Sequence, residues 1–94
     1  MKMIQLEPYT SFDRKFRNEL RNCASMFDKI KISESLYKDI VRTGKRFDTP
    51  IFKGQKGLYT VGAKGNEYYL IPLSAGCLKQ KGIVIKRKVK SLHV

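Results

Sequence analysis

At Pro50 the apolar pattern of this 94-residue chain changes period, and that switch constrains its architecture more than any other feature. Before it, apolar residues recur at helical spacing. After it, short alternating runs stand between glycine-bearing turns. A helix with one apolar stripe and a strand with one apolar face each need a surface to cover, so the two halves are expected to bury each other. A chain this long suits one core, and residues 1–94 read as a single domain.

Within the first half, Thr10 or Ser11 offers a helix N-cap, and Asp13 lies three residues after Thr10 as in a capping box. Phe12, Phe16, Leu20, Cys23, Ala24 and Phe27 form one stripe, which predicts a helix over about 11–27. Ile30 and Ile32 alternate with lysines and fit either a short strand or an extension of the stripe. Ser33 is a good N-cap, Glu34 suits a first turn, and Leu36, Tyr37, Ile40 and Val41 supply a buried face. With Gly44 as its stop, the second helix is predicted over about 34–44. Residues 2–7 alternate weakly and leave room for a short first strand ended by Pro8.

Past Pro50 the candidate strands are Ile51-Phe52, Leu58 to Val61, Tyr68 to Leu73 and Ile83 to Val89. Gly54-Gln55-Lys56-Gly57 and Gly62-Ala63-Lys64-Gly65 share the form Gly-x-Lys-Gly, and Gln80-Lys81-Gly82 repeats its last part. Glycine supplies the positive φ that tight hairpins require, and each such turn lifts a lysine to its tip. Pro72 lacks a donor, so strand 68–73 is expected at an edge or to end there. The predicted fold class is α+β, with two N-terminal helices (about 11–27 and 34–44) packed on one face of a small antiparallel sheet (about 50–90).

Charge sharpens the reading. The formal net charge is +12, and residues 53–94 hold nine Lys/Arg against one acid, Glu67, while residues 1–52 hold eleven against seven. In the run 83–90, Lys86, Lys88 and Lys90 share one strand face with Val84, and Ile83, Ile85, Arg87 and Val89 share the other. One or two lysines suffice to protect a sheet edge, and this run carries four basic residues in five positions. Tyr59, Tyr68 and Tyr69 are interleaved with Lys56 and Lys64, as in proteins that stack bases and neutralise phosphates together. The expected partner is nucleic acid, DNA or RNA, and the expected contacts are Lys56, Lys64, Lys81, Lys86, Arg87, Lys88, Lys90 and Tyr59. An acidic protein surface is the alternative partner, met by a basic inhibitor module with Tyr68, Tyr69 and Leu73 as an apolar cluster.

Catalytic signals are few. Cys23, Cys77 and the lone histidine, His93, cannot close a four-ligand zinc site without carboxylates. There is no phosphate-binding glycine loop or nucleophile elbow, so neither metal nor cofactor is expected. The two cysteines, 54 positions apart, read as reduced thiols, with a structural disulfide as the lesser option. The start has no apolar run of signal-peptide length and no stretch nears about 20 apolar residues, so no membrane association is expected. The expected compartment is the cytoplasm, or the nucleus in a eukaryotic host.

Two partial likenesses bear on function. Lys29 to Tyr37 resembles the strand and capped helix of ribbon-helix-helix repressors, although Phe47 to Gly57 then supplies a proline and turns where their second helix would follow. In size, charge and strand–helices–sheet order the chain is similar to ribosome-dependent toxins of the RelE type. That likeness implies metal-independent RNA cleavage by a set drawn from Arg42, Lys45, Arg46, Tyr59, Arg87 and His93.

Overall fold

The structure is a computed structural model in which residues 6–9 and 14–83 are described. Its centre is a three-strand meander: β3 (Phe52–Gly54), β4 (Gly57–Lys64) and β5 (Glu67–Leu73). Gly54 pairs with Gly57 to close the first turn around Gln55 and Lys56. Lys64 pairs with Glu67 across the second, where Gly65 has φ 61°. A two-residue hairpin turn needs that left-handed geometry, which explains why glycine stands there. Two earlier segments complete the sheet. β1 (Glu7–Pro8) pairs antiparallel with β3, and β2 (Ile30–Ile32) pairs antiparallel with β5, giving the order β1-β3-β4-β5-β2.

This overturns the expectation of two N-terminal helices on one face of a small sheet of about 50–90, joined at most by a short first strand at 2–7, which the structure places at Glu7–Pro8. Strands come early, and among the described residues only α2 (Glu34–Phe47) is a helix of seven residues or more. The stripe over 11–27 breaks instead into a 3-10 turn at Arg14–Phe16, a short α1 (Arg17–Asn22) and a second 3-10 turn at Met26–Asp28. Bonds to β5 end α1. Ala24 bridges Leu73, the Ser25 amide donates to the Pro72 carbonyl (2.8 Å), and the Ser74 amide donates to the Cys23 carbonyl (3.0 Å). The Thr10, Ser11 and Asp13 capping group and Phe12 lie outside the described residues.

β5 is also not an edge strand, since it lies between β4 and β2. Pro72 is tolerated because β2 stops alongside Leu70. The Pro72 carbonyl faces Ser25, and the nitrogen of the same residue faces the same way, so the missing N–H takes nothing from the β4–β5 ladder.

Helix α2 begins as read, with Ser33 Oγ accepting from the Leu36 amide at 3.1 Å. It runs through Gly44 and stops at Asp48, which takes the left-handed conformation (φ 54°, ψ 51°). The Thr49 amide then donates to the Gly44 carbonyl and the Asp48 amide to the Lys45 carbonyl, so the last carbonyls are satisfied. Gly44 serves close packing: a Cβ there would stand 2.7 Å from the Thr49 carbonyl oxygen and 3.1 Å from the Phe52 ring. Gly→Ala in an open helix gains up to about 1 kcal/mol. Gly44→Ala is expected to lose about 1–3 kcal/mol through overpacking, measured by denaturant unfolding. A gain would mean that the helix lifts off the sheet without cost.

Register assigns the two faces. Tyr59, Val61, Tyr68, Leu70 and Ile32 face α2 and join Leu6, Ile40 and Phe52 in one core cluster. Leu58 and Leu73 face the other way, toward Leu20, Cys23, Ile51, Leu78 and Ile83. Helices therefore lie on both faces. The second cluster includes α3 (Ala75–Gln80), which the sequence reading lacked; Ser74 caps it by accepting from the Cys77 amide at 3.2 Å. Gly82 (φ 76°) ends α3, and the Ile83 amide donates back to the Leu78 carbonyl. Ile83, read as the start of a strand, is buried at this helix end, and the rest of that strand lies outside the described residues.

Candidate functional site

Alternation along β4 and β5 leaves part of the second face uncovered. Beyond the Leu58–Leu73 pair, Thr60 stands opposite Ile71, Gly62 opposite Tyr69, and Lys64 opposite Glu67, with Lys31 of β2 beside Tyr69. α1 leans over this surface and encloses a cleft of about 630 Å³. Its floor is Thr60, Gly62, Tyr69 and Ile71, and its walls carry Arg17, Arg21, Lys29 and Lys64. No carboxylate is among the described residues that line it.

Two features shape the floor. Gly62 keeps it open, because a Cβ there would meet the end of the Ile71 side chain at 2.9 Å. Tyr69 is held by its hydroxyl, which donates to Glu67 Oε1, and the Lys29 ammonium lies 4.5 Å from its ring centroid. The Glu67 carboxyl is held below its usual range first by this hydrogen bond and then by Lys31, whose ammonium is 3.8 Å away. Lys29 and Lys64 add to that pull, so Glu67 stands in a positive field. The same bond raises the Tyr69 phenol above its ordinary value, so the ring stays neutral around pH 7.

The expected contact residues are dispersed. Lys64 lines the cleft as the last residue of β4. Lys56 occupies the turn at the opposite end of that strand, and Lys81 follows α3; both are exposed. Tyr59 lies on the α2 face, half-buried against the core, where its ring would meet a Cβ on Gly54 at 2.8 Å. Lys86, Arg87, Lys88 and Lys90 lie outside the described residues, as does His93. Tyr68 and Tyr69 point to opposite faces, and Tyr68 packs on Tyr37 with ring centroids 4.8 Å apart. In the set drawn for RNA cleavage, Arg42 is paired with Asp39 at 3.0 Å and Arg46 stacks over Phe47.

Arg17, Arg21 and Lys29 were not among the expected contacts. The first two stand four residues apart on α1, off its apolar stripe, which is the local signal for a shared helix face. Nothing local in the sequence brings that face to Lys64.

The expectation of reduced thiols is corrected: Cys23 and Cys77 form a disulfide, with Cα atoms 5.5 Å apart. It joins the end of α1, and so one wall of the cleft, to α3. Among the described residues, no helix is long and apolar enough to cross a membrane, and no group of three His, Cys, Asp or Glu side chains could hold a metal ion. Compared with protein families, curated proteins and solved structures, the chain matches none.

Proposed function

We propose that the protein binds nucleic acid without catalysis, through the cleft between α1 and the β4–β5 face. The observation that carries this reading is the cleft's composition: Arg17, Arg21, Lys29 and Lys64 surround a floor with an aromatic ring, and no described lining residue is acidic. Cations on the walls suit phosphates, and a neutral aromatic floor suits a base. The net charge of +12 acts in the same direction, drawing a polyanion toward the surface before contact. The proposed compartment is the cytoplasm, against which stands the Cys23–Cys77 bridge, a bond that oxidising compartments sustain and the cytosolic thiol pool reduces.

Titration of labelled oligonucleotides at several salt concentrations tests the proposal. Four cleft cations meeting phosphates of a single strand give a slope of about −3 in log affinity against log salt. Arg17→Ala combined with Arg21→Ala is expected to flatten that slope by about 1.4 while leaving the melting temperature nearly unchanged. No binding at low salt would remove the proposal.

One observation favours a second reading. Among the described residues, β4 beyond Thr60 pairs only with β5, so the backbone of Val61 to Lys64 is open on its other side. A second cleft, lined by Tyr37, Lys45 and Asp48, shares Arg17, Pro50, Thr60 and Val61 with the first, so the two meet along this edge. An acidic protein segment could add there as a strand, with the cations beside it setting the preference. Competition of an acidic peptide with the oligonucleotide separates the readings.

A further inference from the structure

We infer that the cleft takes single-stranded nucleic acid, with Phe27 and Tyr69 as its stacking surfaces. This rests on the nucleic-acid reading of the same cleft and adds strandedness and a residue outside the expected set. Phe27 is the most anomalous side chain among those described, 101% exposed in a fold that buries Phe52 to 1%. It is not on a loose loop. Phe27 lies inside the 3-10 turn Met26–Asp28, which is fixed by the Asp28 amide on the Ser25 carbonyl (3.2 Å) and the Ser25 hydroxyl on Asp28 Oδ2 (2.6 Å). The Ser25 amide in turn ties the segment to β5. A rigid turn that displays an aromatic ring to water gains nothing in stability from that ring.

Its position gives it a use. Met26 and Lys29, on either side of Phe27 in the chain, both line the cleft, and Lys29 lies over the Tyr69 ring. The turn therefore holds a second aromatic next to a pocket whose floor already carries one, although Phe27 is not itself a lining residue. Unpaired bases have free faces to stack on such rings, while a duplex keeps its bases stacked on one another and offers phosphates on a convex surface. A concave, cation-walled cleft with one aromatic on its floor and an exposed one beside it suits the first and not the second. An anionic bilayer would also accept an exposed Phe beside lysines. However, of the other exposed large apolar side chains among the described residues, Met26 lines the cleft and Ile30 lies on the α2 face of β2, so the three share no flat surface. The cations, too, run into a cavity and not around a flat rim.

The test compares a labelled single strand, the matching duplex and phosphatidylserine-containing vesicles, for the full chain and for Phe27→Ala. The single strand is expected to bind more tightly than the duplex. Phe27→Ala should weaken single-strand binding by roughly 5- to 150-fold, the span found for base–aromatic stacking. Duplex binding, the salt slope and the melting temperature should hardly move, because a fully exposed ring contributes little to folding. Phe27→Trp adds the only tryptophan of the chain, and its emission should change on addition of the single strand. Equal affinity for single strand and duplex, or no effect of Phe27→Ala, would overturn the inference and leave the phosphate-binding proposal in place. Vesicle binding that depends on Phe27, with oligonucleotide binding unaffected, would also overturn it. Failure of the wild-type chain to bind any oligonucleotide at low salt would remove both.

Discussion

Reduction of the Cys23–Cys77 bridge is expected to lower the melting temperature by roughly 15–30 °C. The bridge closes a loop of sequence separation 54, and opening it returns loop freedom to the unfolded chain worth about 4 kcal/mol on the chain-entropy account. Small domains hold only about 5–15 kcal/mol of net stability, so that loss is a large share of the total. The fold makes the dependence plain. α1 and α3 each have six residues, and the buried side chains within them are Leu20 and Leu78 alone. Helices this short do not persist by themselves, and the bridge adds a covalent link to the shared core and the Ser74–Cys23 backbone bond that join them. Thermal melts with and without reductant, beside Cys23→Ser combined with Cys77→Ser, measure the effect. An unchanged melting temperature in the double serine variant would show that core packing alone holds α1 in place, and that the cleft wall owes nothing to the bridge.

Phe52→Ala is expected to cost roughly 3–5 kcal/mol, the range for deleting a buried aromatic ring. Among the described residues Phe52 is the largest fully buried side chain, and it links three elements. Its backbone pairs with Pro8 of β1 and with Tyr59 of β4, while its ring lies against Gly44 of α2. A cavity there is closed in by strand backbone on one side and helix backbone on the other, so little can move to fill it. Chemical denaturation reads the loss. A cost below about 1 kcal/mol, as at an ordinary surface position, would mean that α2 settles onto the sheet and refills the space.

What could be read from sequence was whatever is local. Ser33 and the Leu36–Val41 face announced α2, and the glycines around Lys56, with Gly65, announced the β3–β4–β5 turns, because caps and hairpins depend on neighbours a few residues away. Gly62 and Lys64, read as turn residues, fall inside β4, and Lys81-Gly82 ends α3 in place of a hairpin. Gly44 misled as a stop because its purpose lies in Thr49 and Phe52 across the packing, not in the helix itself. The stripe from Phe16 to Phe27 has good helical period, yet Ala24 and Ser25 find partners on β5, and those bonds decide. Phe27 completes the stripe on paper and stands in water in the fold. Alternation allowed short strands near β1 and at Ile30–Ile32, but nothing in it said that β1 pairs with β3 or β2 with β5. For the same reason the cleft escaped notice. Its cations come from α1, from the segment before β2 and from the end of β4, and only the sheet order brings those three places together.

That sheet order has a consequence for how the chain is made. Synthesis delivers β1 and β2 first, but their hydrogen-bonding partners, β3 and β5, are encoded only at 52–54 and 67–73. β1 therefore waits through the synthesis of α2 for β3, and β2 waits through α2 and the whole meander for β5. At about 5–20 residues per second, that interval lasts seconds. Within the meander the hairpin of β3 and β4 is the most local pairing, reaching from Phe52 to Tyr59 at its widest, while that of β4 and β5 reaches from Leu58 to Leu73. The meander is then the template onto which older chain is fitted, so β3 and β5 organise strands made before them.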